Sequence, residues 1–224
     1  MSRLLSVTAT LLVFISGAVS QTGAQVQKAI GSIELPSAPP CVPSKSKFDK
    51  DKVYDVLKVL LQSDGKRITI AATLKDPPPA RPGYVLGLYF DTDNNPKTGA
   101  DAPSSGRERG GFEFESVVEA CARYTGGGVA CADASQDGKV TSHYTIATLE
   151  RFTGSESNEF NDRIIDFFHN NATEEPIIGN MVHATLKYAD LKVQPSQTIR
   201  ILVEKECGDS GYVSSFPEVL LVLK

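Results

Sequence analysis

From Val53 onward the chain is cut into strand-length runs, each stopped by Gly, Asp or Pro. This punctuation constrains the fold more than any other feature. Val53–Leu61 and Arg67–Leu74 flank Ser63-Asp64-Gly65, and an Asp-Gly pair between two such runs is a strong hairpin signal. Lys75-Asp76-Pro77-Pro78-Pro79 ends the second run, because proline has no N–H to give a ladder. Tyr84–Phe90 is continuously apolar, as a central strand buried on both faces must be. In Phe112–Tyr124, Phe112 and Phe114 alternate with Glu113 and Glu115 at the strand period of two. Val129–Ala134, a turn at Asp137-Gly138 and Lys139–Leu149 continue the meander, and Thr198–Glu204 and Val219–Leu223 close it. Ile177–Lys187, with a turn at Gly179-Asn180, precedes a single helical turn at Tyr188-Ala189-Asp190-Leu191. Ser155–Asn171 reads either as a helix, from the spacing of Phe160, Ile164, Phe167 and Phe168, or as a strand through Arg163–Phe168. There is no internal repeat and no β-α alternation. The pattern predicts an all-β fold, an antiparallel β-sandwich (jelly-roll-like) with one or two short helical turns.

Three segments divide the chain. Residues 1–20 read as a signal peptide: Arg3, the apolar Leu11-Leu12-Val13-Phe14-Ile15, and small residues Ala18-Val19-Ser20 for cleavage. The apolar part falls short of the roughly 20 residues a spanning helix needs. Residues 21–50, rich in Pro, Ser, Gln and Lys, read as a flexible leader, and 51–224 as the sandwich domain. The expected location is the secretory pathway, Golgi lumen or outside the cell. Lys and Arg are scattered and the net charge is -4, which argues against a nucleic-acid partner.

In an exported chain, four cysteines are most simply two disulfides. Cys121 and Cys131 flank a Gly-rich tip and suit a local bridge; Cys41 and Cys207 would then join the start of the domain to its last strands. Four cysteines permit more than one connectivity. Fully bridged, they leave no thiol nucleophile. Asn171-Ala172-Thr173 is an N-glycosylation sequon, which assigns Asn171 to a surface loop.

The strand Tyr84–Phe90 runs into Asp91-Thr92-Asp93-Asn94-Asn95-Pro96-Lys97-Thr98-Gly99. Side-chain oxygens at 91, 93 and 95, with the Lys97 carbonyl two residues on, can converge on one hard cation, and Gly99 can leave the turn at positive φ. An Asx-rich turn binding nothing accounts for the same residues. The expected ligands are Asp91 and Asp93, then Asn95 and Glu113, with Asp101 and Asp162 as weaker contributors. His143 and His169 read as surface histidines, with His169 the alternative proton donor near the acidic loop.

The order apolar strand, DTDNNPKTG, then Gly111-Phe112-Glu113-Phe114-Glu115 resembles the β-sandwiches related to DOMON domains and family 9 carbohydrate-binding modules. Lys187-Tyr188-Ala189-Asp190-Leu191 before Thr198-Ile199-Arg200-Ile201 is similar to their closing strand, turn and strand. The resemblance spans roughly residues 53–224, and Glu113 stands where those families tend to show Asp. More narrowly, the exported domain with an acidic loop resembles the secreted manganese-dependent peroxidase family of tardigrades. That resemblance implies a Mn²⁺ cofactor, peroxide as small-molecule substrate and protection against oxidative stress. Oxygen ligands suit Mn²⁺, Ca²⁺ or Mg²⁺, and of these manganese alone offers an accessible one-electron step. The alternative is a Ca²⁺-stabilised module binding carbohydrate or protein without catalysis. The chain has no Trp, so the stacking platform usual for sugars is poorly supplied. The oligomeric state, the catalytic residues and the reducing substrate stay open.

Overall fold

A computed structural model describes residues 27–36, 54–78, 83–99, 111–127, 129–131, 138–152, 165–168, 175–206 and 213–224. Its strands are β1 (Gln27–Ile30), β2 (Ser32–Leu35), β3 (Val56–Ser63), β4 (Arg67–Leu74), β5 (Gly83–Asp91), β6 (Phe114–Tyr124), β7 (Val129–Ala130), β8 (Val140–Phe152), β9 (Ile165–Phe168), β10 (Glu175–Pro176), β11 (Met181–Lys187), β12 (Thr198–Glu206), β13 (Val213–Ser215) and β14 (Val219–Val222). The one helix among the described residues is α1 (Tyr188–Leu191). The fold is the expected all-β sandwich of two sheets.

The larger sheet runs β1-β14-β12-β5-β6-β8-β10, with β13, β7 and β9 pairing beside β12, β6 and β8. The smaller runs β11-β4-β3-β2. Among the described residues every strand pair is antiparallel except β1 with β14. The hairpin β3–β4 closes at Asp64, whose Oδ1 accepts the N–H groups of Lys66 and Arg67. Along β4, Ile68, Ile70, Ala72 and Leu74 point inward and are buried, while the intervening residues are half or fully exposed. Leu86, Leu88 and Phe90 of β5, Ile199, Ile201 and Val203 of β12 and Phe114 and Val118 of β6 meet them in one hydrophobic core. Burial of apolar area at about 25 cal/mol per Å² makes this core the main source of stability.

The outer face of β5 is buried too. Tyr89 packs with Phe112 and Leu202 in a second, smaller cluster, the Tyr89 and Phe112 rings meeting edge to face at 5.8 Å. This explains the continuously apolar run of Tyr84–Phe90: Phe112 covers the outer face of the sheet at Tyr89. Against expectation, residues 27–35 are not part of a flexible leader. Gln27–Ile30 joins the large sheet, Ser32–Leu35 the small one, and Gly31 between them bonds to both, its N–H to the Val222 carbonyl (2.8 Å) and its carbonyl to the Ser63 N–H (2.7 Å). At the opposite edge β10 pairs with β8 and β11 with β4, so a second crossing at Gly179-Asn180 joins the sheets there. The 155–171 ambiguity resolves as strand for Ile165–Phe168, paired with β8. The expected signal peptide lies outside the described residues. No helix among the described residues is long and apolar enough to cross a membrane.

Candidate metal centre

Strand pairing delivers the site. Phe90 pairs with Phe114 and Asp91 with Arg200, and the Glu113 N–H donates to the Phe90 carbonyl at 2.9 Å, so Asp91 and Glu113 emerge at one end of the sheet. Beyond Asp91 the chain turns back over this end. Asn94 has φ 54 and Gly99 φ 69, both left-handed; a side chain at Gly99 would collide with the Phe112 backbone. Gly99 is therefore fixed by conformation and by contact at once.

Asp91, Asp93 and Glu113 each place a carboxylate oxygen within 4.8 Å of the other two. Asp91 is fully buried, Glu113 half-buried and Asp93 exposed. These three could hold a metal ion. Asp91 Oδ1 and Asp93 Oδ1 share the Asn95 N–H at 3.1 and 2.9 Å. Glu113 Oε2 accepts the Thr92 N–H at 2.7 Å and its hydroxyl at 3.1 Å. The Thr98 hydroxyl lies 3.1 and 3.0 Å from the two oxygens of Asp93, 3.0 Å from Glu113 Oε1 and 2.9 Å from the Asn95 carbonyl. A hydroxyl carries one hydrogen, so Asp93 Oδ2 and Glu113 Oε1 compete for it, while Asp93 Oδ1 and the Asn95 carbonyl also accept the N–H groups of Asn95 and Thr98.

Asp91 Oδ2 accepts from Arg200 Nε at 2.8 Å and Nη2 at 2.7 Å, a two-bond fork across β5 and β12. The Arg200 guanidinium lies over the Phe112 ring at 4.8 Å, and its Nη1 is 3.7 Å from Glu218 Oε1. Gln197 Nε2 donates to the Thr92 carbonyl and pins the loop from β12's side. Burial pushes the Asp91 carboxyl up from its ordinary value, with Arg200 pulling it back only in part; burial likewise raises Glu113, against the Thr92 and Thr98 hydrogen bonds.

Of the residues expected from sequence, Asp91, Asp93 and Glu113 come together. Asn95 contributes its backbone N–H, while its Oδ1 accepts the Lys97 N–H at 3.1 Å in a local turn. Asp101, Asp162, His169 and Asn171 lie outside the described residues, as do Cys41 and Cys207. His143 and His183 are half-buried on β8 and β11 and are not part of the cluster. Cys121 and Cys131 form the expected disulfide. Sequence reasoning missed Thr92, Thr98 and Arg200. Arg200 had one signal, a charge between isoleucines in Thr198-Ile199-Arg200-Ile201, which puts it on the face opposite the core.

Compared with protein-family models, curated proteins and solved structures, the chain matches none.

Proposed function

We propose that this chain is an exported cation-binding β-sandwich that loads a hard divalent ion, manganese by preference, at Asp91, Asp93 and Glu113, and consumes peroxide there. The observation that carries the reading is the excess of acceptors. Asp93 Oδ2 and Glu113 Oε1 compete for one Thr98 hydrogen within a group of three carboxylates whose oxygens lie within 4.8 Å of one another, and a divalent ion would satisfy them together. The all-oxygen donor set fits Mn²⁺, Ca²⁺ or Mg²⁺. Manganese comes from the family resemblance and from redox chemistry: when bound, it would supply the one-electron step that carboxylates and hydroxyls lack. Asp91 and Asp93, as anions, would favour its higher oxidation state by Coulomb attraction. Asp93, on the exposed side, leaves room for a small substrate. The disulfide and the absence of a spanning helix among the described residues are compatible with export.

A Ca²⁺-stapled binding module is the second reading. It is favoured by the way the cluster links the 91–99 loop to the start of β6, since a cation there would fasten two segments without chemistry.

Element analysis of purified protein, followed by peroxide consumption in the presence of a one-electron donor that supplies the two electrons per peroxide reduced to water, with and without added Mn²⁺, separates the two. The expected result is Mn²⁺-stimulated turnover that falls at least tenfold in the Asp91→Asn, Asp93→Asn double variant. Full activity in that variant would overturn the site. Binding of Ca²⁺ and Mn²⁺ with equal stabilisation and no turnover would replace the enzyme with the module.

A further inference from the structure

Arg200 occupies a position that the ligand chemistry alone does not call for. It is held on every side: by β12, by the Phe112 ring beneath its guanidinium, by both bonds to Asp91 Oδ2, and by Glu218 beyond. The neighbouring loop is shaped around it. Gly111 has φ 102, and a side chain there would approach Arg200 Nη2 to 2.6 Å and the Asn95 carbonyl to 2.7 Å. Its own side chain is only 12% exposed, so its charge acts on the cluster through a medium that screens poorly. Asp91 is divided between two duties: Oδ2 is committed to Arg200, and Oδ1 accepts the Asn95 N–H that it shares with Asp93 Oδ1.

Resting on the cation-site reading above, we infer that Arg200 is the site's built-in counter-ion: it keeps the carboxylate cluster folded when no cation is bound, and it weakens divalent binding so that loading is readily reversed. An arriving cation and Arg200 would share one carboxylate, and each lowers the other's hold on it. Phe112 and Glu218 keep the guanidinium from swinging away, so the competition is permanent. Affinity is therefore set by a residue that need not touch the ion. Arg200 is a positioning residue in this scheme.

The test is calorimetric titration of MnCl₂ and CaCl₂ into the full chain and its Arg200→Gln variant, with melting temperatures recorded alongside. The expected result is that Arg200→Gln melts lower than wild type without cation, binds both ions about tenfold more tightly, and gains more melting temperature from saturating Mn²⁺. Glu218→Gln keeps Arg200 and leaves Asp91 a larger share of its charge; it should bind Mn²⁺ about threefold more weakly, and it answers the question if the arginine variant does not fold. Measurable binding by wild type, with equal or weaker binding by Arg200→Gln or with Glu218→Gln unchanged, would overturn this inference and leave the site standing. No heat from either wild type or Arg200→Gln would overturn the site itself, and this inference with it. Binding that appears only in Arg200→Gln would support the inference.

Discussion

At the scale of single residues the large sheet carries charges that its burial does not favour. Glu204 points to the outer face of β12 yet is 1% exposed, with the Ser215 hydroxyl donating to it at 2.9 Å and Glu115 on the same face adding repulsion. Burial raises its carboxyl above 4.5, as it raises Glu113 from 4.5 and Asp91 from 3.8. A group whose folded value lies above its unfolded one binds its proton more tightly when folded. Its contribution to stability is fully present below the unfolded value and is lost as the pH rises through the folded value. The cation-free protein should therefore lose melting temperature between mildly acid and neutral pH. Glu204→Gln, which keeps an acceptor for Ser215 and removes the charge, should melt higher than wild type at neutral pH and show a flatter decline. Parallel pH series of thermal melts would settle it; identical slopes would show that Glu204 is ionised without penalty.

At the scale of elements, the turn after β5 is where backbone conformation and the acidic cluster meet. Gly99→Ala places a side chain at φ 69 against the Phe112 backbone, and should cost about 2 kcal/mol or more while pushing Phe112 off Tyr89 and Arg200. Denaturant unfolding gives the loss; a change below about 0.5 kcal/mol would mean that the loop end relaxes freely. Such elements differ in how legible they were. Arg67–Leu74 could be read to its ends, because Asp64-Gly65 starts it, proline follows it and its alternation is strict. Tyr84–Phe90 could be read as doubly buried, although nothing local named Phe112 as its cover. The acidic loop announced Asp91 and Asp93 through their spacing. Their counter-charge, 109 residues away on β12, could not be inferred from local pattern, because register across strands decides it. β1 and β2 were missed for the same reason: Gln27-Lys28-Ala29-Ile30 and Ser32-Ile33-Glu34-Leu35 carry little apolar signal of their own and become strands through partners distant in the chain.

At the scale of the whole molecule, the two crossings decide how the sandwich ends. An open sheet edge exposes a row of unpaired N–H and carbonyl groups that can template association with other chains. Here β1–Gly31–β2 occupies the β14 edge of one sheet and the β3 edge of the other. Deleting residues 27–35 should therefore uncover two edges at once, lowering the melting temperature and producing oligomers. Light scattering during a melt would report this, and a monomeric variant of unchanged stability would show that the ribbon is dispensable. The disulfide acts more locally, fastening β6 to the end of β7 across a separation of 10 residues.

The parallel pairing of β1 with β14 also orders events in time. A chain made from its amino end presents the first of these strands long before the last, and the two cannot meet until nearly everything between them has been made. The final seam of the larger sheet thus closes only once β14 has been made, and until then β1 lacks its partner strand.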